Sequence, residues 1–344
     1  MRRVVYGLII AVLIGSTFGC STSIPVTVTK PAEINMAGNR VIAVLDFRYP
    51  IKDKSISGKD LLQWAISKLT GVNLPKEPNV EQRVAEYTTE QVILTLLNTG
   101  YFQLVSPQQV AQAMQGGISS STTAVDIGKA VKAQAIVNGE LYLLEARDKE
   151  WTREQTVTDA ETGEEKTEIV TMISRTAEVG MSYQVVNTAT GNVVASRSFE
   201  SETSTDRELE NKRDLPDAED MYMSLIDDFL PKMAKQLAPY QVREHRTLMR
   251  DKTKDPRMEQ ADSLVKGRVY DSALEIFLDV WQQGGNVAAG FNAAILYEVT
   301  GQLDMAIVQM KSVVDRTADK KAMREYNRLL TVKQEQERLK AQQG

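Results

Sequence analysis

Short apolar runs alternate with helically spaced apolar positions over the first half of the chain. The run RVIAVLDF at 40–47 is continuous, β-branched and flanked by turn residues, which is typical of a buried strand. Apolar residues in 80–98 recur near helical spacing and predict a helix. The same reasoning predicts a helix at 52–71, strands at 101–106 and 135–146, and two short helices at 107–115 and 126–131. Strands alternating with helices in this way predict an α/β sandwich.

A long antiparallel pair is expected to follow the third strand. Residues 149–158 and 167–176 alternate around a turn that contains Gly163, but both of their faces are largely polar. The second of these strands continues and turns again at Gly191. Four apolar residues of its continuation share one face and are expected in the core: Val179, Met181, Tyr183 and Val185.

Helical spacing dominates the remainder of the chain. Residues 216–237 predict an amphipathic helix that Pro239 closes, and a segment rich in Arg and Lys then runs to 256. That segment predicts a solvated linker or helix face, with an electrostatic patch as the alternative.

Residues 289–314, AGFNAAILYEVTGQLDMAIVQMKSVV, resemble a tetratricopeptide repeat. A second, degenerate copy precedes it with an offset of 33 residues, which aligns Ala273 with Ala306. Small residues let paired helices approach, and Gly301 suits the sharp turn between them. The repeat-defining positions are Gly267, Ala273, Asn292, Ala294, Tyr297, Gly301 and Ala306. Two repeats and the charged capping helix at 319–344 are few for an independent stack, so we expect the array to dock on the first domain or on another chain. A peptide-binding surface and a purely stabilising appendage remain open alternatives.

The first twenty residues, MRRVVYGLIIAVLIGSTFGC, predict an export signal. Arg2 and Arg3 precede an apolar run at 4–14 that is too short to span a bilayer. Gly19-Cys20 resembles the bacterial lipobox, although Thr17 and Phe18 depart from it. We therefore expect lipidation, including palmitate, at Cys20. An ordinary cleaved secretory signal and an uncleaved anchor helix are the alternatives.

Composition narrows the functional classes. Cys20 is the only cysteine, so disulfides and thiolate metal sites within the chain are excluded. Ser21 resembles the outer-membrane sorting choice of lipoproteins, which predicts an outer-membrane location for the anchor. Removing 1–19 takes away two arginines and no acid, which moves the formal net charge from −5 to −7 and argues against a nucleic-acid partner.

Catalytic signals are sparse in this sequence. The single histidine, His245, lies in the charged segment, and we expect it to be a solvated residue rather than a catalytic one. No nucleophile elbow, zinc-protease motif, P-loop or dinucleotide fingerprint occurs, and the carboxylates at 159–168 and 200–220 lack calcium-loop spacing. The sequence therefore predicts a protein that is not an enzyme and has no cofactor or metal.

The order RVIAVLDF, AEYTTEQVILTLLNTGYFQLVSPQQV, AVDIGKAVKAQAIVNGELY and VGMSYQVVNTATGNVVASRS resembles the CsgG-like curli-secretion lipoproteins. The resemblance implies an outer-membrane ring in which each subunit gives two hairpins to a transmembrane barrel. At the two corresponding places, 145–176 and 204–223, this chain is highly charged, whereas a lipid-facing strand needs about ten residues with an apolar face. We therefore expect the CsgG-like fold without the pore. The same fold occurs in LpoB-like activators of peptidoglycan synthesis and in TolB-type N-terminal domains.

These inferences combine into one expected architecture: a CsgG/TolB-like α/β sandwich with a mixed sheet, helices and a long antiparallel hairpin, and an all-α tetratricopeptide-like C-terminal domain. The expected function is an outer-membrane-anchored periplasmic adaptor or scaffold that binds envelope proteins through the repeats and the membrane through its lipid, with homo-oligomers possible. The alternatives are a CsgG-type secretion channel component and an LpoB-like activator. The expected boundaries are a signal peptide at 1–19, a flexible tether at 20–39, the CsgG-like domain at 40–238, a linker at 239–256, repeats at 257–318 and the capping helix at 319–344.

Overall fold

The computed structural model describes residues 22–36, 38–49, 79–115, 123–158 and 163–343. These residues fall into two compact units. The helical unit comprises the described residues up to Thr29 together with 241–337, and the sheet unit comprises 30–240 together with the residues from Arg338 onward. Cys20 and the helix expected at 52–71 lie outside the described residues.

The described elements are numbered along the chain. The strands are β1 (Ser23–Lys30), β2 (Val41–Val44), β3 (Gln103–Leu104), β4 (Ala135–Thr158), β5 (Glu165–Asn187), β6 (Val193–Glu208) and β7 (Tyr240–Thr247). The helices are α1 (Val80–Asn98), α2 (Pro107–Gln115), α3 (Ala124–Ala130), α4 (Ala218–Leu237), α5 (Pro256–Lys266), α6 (Tyr270–Gly284), α7 (Val287–Val299), α8 (Leu303–Thr317) and α9 (Lys320–Gln343), with a 3₁₀ helix at Leu209–Asp214.

The sheet unit contains a five-stranded mixed sheet in the order β3-β2-β4-β5-β6. β2 pairs in parallel with β3 and β4, whereas β4, β5 and β6 are antiparallel. Alternation along β2 explains why both sheet faces are covered, because Ile42 and Ala43 point in opposite directions. Ile42 joins the core that contains α1 and α4, and Ala43 joins a smaller core with Val110 of α2 and Ile127 of α3. The expected mixed α/β architecture is therefore present, while its assignment to the CsgG-like family stays a prediction.

The expected apolar face on the long hairpin is confirmed. Its four predicted residues are completely buried: Val179, Met181, Tyr183 and Val185. The hydroxyl of Tyr183 donates to Oε1 of Gln236 on α4 at 2.6 Å, and burial raises the pKa of this phenol. Strand β6 stops pairing with β5 at Met172, while β4 and β5 continue as a two-stranded ribbon to the pair Thr158 and Glu165.

The helical unit is built from successive packed helices around one apolar core, which includes Phe277 of α6, Phe291 of α7 and Met310 of α8. The chain reverses direction between successive helices at two glycines in the left-handed conformation. These are Gly285 at φ 63° and Gly301 at φ 83°. The helices stand where the tetratricopeptide-like segments were expected, and their membership of that repeat family stays a prediction. No helix in the described ranges combines the length and hydropathy of a membrane span.

Two segments expected to be irregular contain strands. The segment 20–39 was expected to be a flexible tether, yet it holds β1, and the linker expected at 239–256 holds β7. The two strands form a separate two-stranded sheet. Their sequences, SIPVTVTK and YQVREHRT, are too polar to predict buried strands. The two segments form strands because pairing satisfies the hydrogen-bonding groups of their main chains. Ile24 of β1 also enters the core of the helical unit.

Candidate binding cleft in the helical unit

The candidate site begins with a polar residue in the most apolar helix. Nine consecutive residues of α7, from Ala288 to Leu296, are buried. Asn292 is the polar member of this run and is only 3% exposed. A buried amide is costly unless its donor and acceptor are both paired, so its partners identify what α7 is built to hold.

The partner of Asn292 is the main chain of Met249. The amide nitrogen of Met249 donates to Oδ1 of Asn292 at 2.6 Å, and Nδ2 of Asn292 donates to the carbonyl of Met249 at 3.0 Å. The adjacent Leu248 is buried in the core of the helical unit, and its N–H donates to the carbonyl of Thr22 at 2.9 Å. The helical unit thus holds an extended stretch of its own chain by its main-chain groups, as a neighbouring β-strand would.

An open cleft of about 700 Å³ adjoins this clamp. Its walls are formed by residues 248–251, 254 and 255, by one face of α5, and by Phe277 and Asn292. Charges of both signs line it: Arg250, Lys254, Lys266, Asp251, Asp255, Glu259 and Asp262. Main-chain, apolar and charged groups in one concave surface suit a polypeptide better than a small apolar ligand.

The rim of the cleft is ordered by hydrogen bonds to Asp251. Its carboxylate accepts from the backbone N–H and hydroxyl of Thr253 and from Nδ2 of Asn286 at 2.9 Å. Partial burial opposes ionisation, but these hydrogen bonds hold the pKa of Asp251 below its usual range. Asp255 caps α5 and pairs with Arg257 at 2.8 Å, and the hydrogen bonds from Arg257 lower the pKa of that carboxyl.

The opposite wall is fastened to the start of the described chain. The hydroxyl of Thr22 donates to Oδ1 of Asp262 on α5 at 2.5 Å. Lys266 lies 2.6 Å from the same carboxylate. The residue next to β1 is therefore part of the cleft wall.

The repeat-defining residues are found at helix contacts and turns. Ala273, Ala294 and Ala306 are completely buried on α6, α7 and α8. Gly267 ends α5, Tyr297 is half-buried on α7 and Gly301 lies in the turn before α8.

His245 is exposed on β7, where Nδ1 lies 3.4 Å from the hydroxyl of Ser23. Among the described residues, no cluster of three or more His, Cys, Asp or Glu side chains could hold a metal ion.

Sequence reasoning singled out Asn292 only as a repeat position and missed Met249. An asparagine inside AAGFNAAIL is the available signal, because an isolated amide in an apolar helix requires a hydrogen-bonding partner. The identity of that partner depends on a contact 43 residues away in the chain. No local pattern could supply it.

No protein-family model matches the chain, and no curated protein matches it. Several solved structures are similar to the chain, including the following three. The C-terminal domain of LpoB from Salmonella enterica is 17% identical, with 48% of this chain and 84% of that chain covered and a TM-score of 0.26. PelC, in a dodecamer from Paraburkholderia phytofirmans, is 12% identical, with 63% and 99% covered and a TM-score of 0.25. Lipoprotein GNA1162 from Neisseria meningitidis is 8% identical, with 57% and 98% covered and a TM-score of 0.24. At these identities and TM-scores the likenesses assign neither a family nor a function to this chain.

Proposed function

We propose that this chain is an envelope lipoprotein that acts as a non-enzymatic adaptor or scaffold. In this proposal a lipid on Cys20 anchors it to the outer membrane, and the body faces the periplasm. The cleft of the helical unit holds an extended segment of a partner protein.

The observation that carries the proposal is the hydrogen-bonded pair of Asn292 and Met249. This pair is internal to the chain, and it fixes Met249 and its neighbours as one wall of the cleft. The cleft itself offers main-chain, apolar and charged groups to a segment of a partner protein. A concave surface of this kind suits assembly of proteins rather than catalysis.

The sequence around Cys20 supports an envelope location for the cleft. Only Ser21 separates Cys20 from Thr22, and the hydroxyl of Thr22 donates to Asp262 on the cleft wall. A lipid attached at Cys20 would therefore be only two residues away from the cleft along the chain. A partner held there would be presented close to the membrane surface.

Site-specific photo-crosslinking in the native cell tests the proposal. A photoreactive residue replaces Glu259, which is exposed and lines the cleft, and in the control it replaces Gln260, which is exposed but does not line it. We expect one discrete envelope protein to be captured from position 259 and not from position 260. Equal capture at both positions, or none at 259, would contradict the proposed cleft function.

The anchor is tested separately. Radiolabelled palmitate is expected to enter the unaltered chain and to be absent from the Cys20→Ala variant. An unlabelled parent chain would remove the lipoprotein part of the proposal.

A second candidate function is a subunit of a secretion channel. It is favoured by the ribbon of β4 and β5, which continues beyond the last pair that β5 makes with β6. Single-channel conductance and detergent-stable rings from the purified chain would support it. A monomer without conductance would leave the adaptor as the function.

A further inference from the structure

A second concave site of the helical unit lies apart from the residues of the cleft. It is a pocket of about 320 Å³ formed by 245–247 of β7, Phe291 of α7 and four residues of α9. Four of its lining side chains are cationic and one is an acid: Arg246, Lys321, Arg324, Arg328 and Glu325. Such a concentration of cations in a small concavity attracts an anionic group.

The floor of this pocket contains a buried arginine. Arg246 is 5% exposed, and its Nε donates to Oε1 of Glu298 at 2.9 Å. Its Nη2 lies 2.9 Å from Oε2 of Glu244, but it makes no hydrogen bond with any described group. The ion pair with Glu244 compensates the charge of Arg246, but it leaves the N–H groups of Nη2 without a well-directed acceptor, which an anion in the pocket would supply.

Arg328 forms the adjacent wall and is held by two carboxylates. Its Nη1 donates to Glu298 at 2.9 Å, and its Nε donates to Glu325 at 2.8 Å. Burial opposes the charged form, but these hydrogen bonds raise the pKa of the guanidinium above its usual range. Glu244, Glu298 and Glu325 are thus paired with Arg246 or Arg328, and none of the three forms an ion pair with Lys321 or Arg324.

Lys321 and Arg324 are exposed and form no ion pair with any residue that the structure describes. Both lie in the first two turns of α9, where the helix dipole disfavours positive charge. The first turn of α9 contains no acid to compensate them, and Asp319 caps the helix by accepting from the N–H groups of Lys321 and Ala322. The Asp319 carboxylate offsets part of this unfavourable interaction with the dipole, and Lys321 and Arg324 remain available to an external anion because neither forms an ion pair with a described acid.

We infer that this pocket binds a carboxylate of the protein partner, between Lys321 and Arg324 and above Arg246. The inference rests on the proposed adaptor function for the nature of the partner. The lining cations and the nature of the partner select the ligand. Arginine guanidinium groups present paired N–H donors that match a carboxylate, and a protein partner carries carboxylates on its side chains and at its C-terminus.

Fluorescence anisotropy of the full chain in non-ionic detergent tests this inference. The probe is a labelled peptide that ends in four glutamates, and the same peptide with four C-terminal glutamines and an amidated end is its neutral counterpart. We expect the double variant Lys321→Glu, Arg324→Glu to weaken binding of the acidic peptide by about tenfold or more. Raising the salt concentration should weaken binding in the parent chain.

The matched control is the double variant Lys320→Glu, Lys252→Glu. It changes the net charge equally, Lys320 adjoins Lys321 on the same helix, and neither residue lines the pocket. The control is expected to bind the acidic peptide like the parent. Equal loss in the two double variants, or equal binding of the neutral peptide, would overturn the pocket.

Inorganic phosphate provides a further arm of the same experiment. If phosphate bound more tightly than the acidic peptide and displaced it, the carboxylate assignment would be wrong. Photo-crosslinking from position 259 separates the two proposals. If position 259 still crosslinks a partner but the acidic peptide does not bind, only the pocket inference is rejected. If the peptide binds through the pocket but position 259 crosslinks nothing, only the cleft proposal is rejected.

Discussion

The side-chain amide of Asn292 pairs with the main chain of Met249, accepting at 2.6 Å and donating at 3.0 Å. This relationship explains how a polar side chain is accommodated in the apolar helix α7. It also fixes the segment that forms one wall of the cleft. The consequences of removing it, and of disturbing three other contacts, can be measured.

Asn292→Ala is expected to destabilise the helical unit by about 1–3 kcal/mol, because the N–H and carbonyl of Met249 lose their partners. Thermal and urea denaturation followed by circular dichroism measures the change. Asn327→Ala, at an exposed position of α9, is the matched control and should leave the free energy of unfolding nearly unchanged. Equal effects at the two positions would show that the amide pair contributes nothing specific.

Gly290→Ala is expected to destabilise the packing of α6, α7 and α8 by about 1–3 kcal/mol. A Cβ there would lie 2.7 Å from Cδ2 of Trp281 and 2.7 Å from Cγ2 of Val313. Gly284→Ala is the control, since a Cβ at that position meets nothing within 4 Å. Equilibrium denaturation of both variants checks the prediction, and a Gly290 variant as stable as the parent would contradict the close helix approach.

Acidification is expected to loosen the cleft rim through Asp251. Its pKa is lower in the folded chain than in the unfolded chain, so its stabilising contribution is present above the unfolded value and is lost as the pH falls through the folded value. Asp251→Asn should therefore reduce the dependence of the unfolding free energy on pH in the acidic range. Asp271→Asn, at an exposed site on α6, is the control. Identical pH profiles for the parent and Asp251→Asn would rule out this contribution.

Gln342→Ala is expected to destabilise the sheet unit by about 1–3 kcal/mol. Gln342 is 3% exposed, accepts from the N–H of Ala32 at 2.9 Å and donates to the carbonyl of Ala32 at 2.9 Å. Hydrogen exchange at Ala32 is the measurement, and it should accelerate in the variant. The exposed Gln334→Ala serves as the comparison. Unchanged exchange at Ala32 would exclude the contact.

The elements that sequence analysis identified are those whose patterns are local. Strict alternation of apolar and polar residues predicts that Val179 and Tyr183 share one face of their strand, and both are buried. The helical spacing of apolar residues in 80–98 predicts the limits that α1 has in the structure. Strand β7 was missed because four consecutive residues of YQVREHRT, from Arg243 to Arg246, are charged or are histidine. Such a run predicts a solvated segment, and only the pairing with β1 shows that it is a strand.

The candidate sites depended still more on distant contacts. Asn292 was chosen for its repeat spacing, but its function in the structure comes from Met249. Lys321 and Arg324 belong to a helix that was expected only to cap the helical repeats with a polar surface. They line the same pocket as Arg246 because tertiary folding brings α9 and β7 together. Local periodicity cannot report such pairings, because it contains no information about which distant segments meet.

Native mass spectrometry of the chain isolated from its own envelope tests the adaptor proposal most directly. The proposal predicts a chain that begins at Cys20, carries the mass of its lipid and is bound to one envelope protein in fixed stoichiometry. The same complex should be weakened by the Lys321→Glu, Arg324→Glu variant. An unmodified chain without any partner would contradict the proposal.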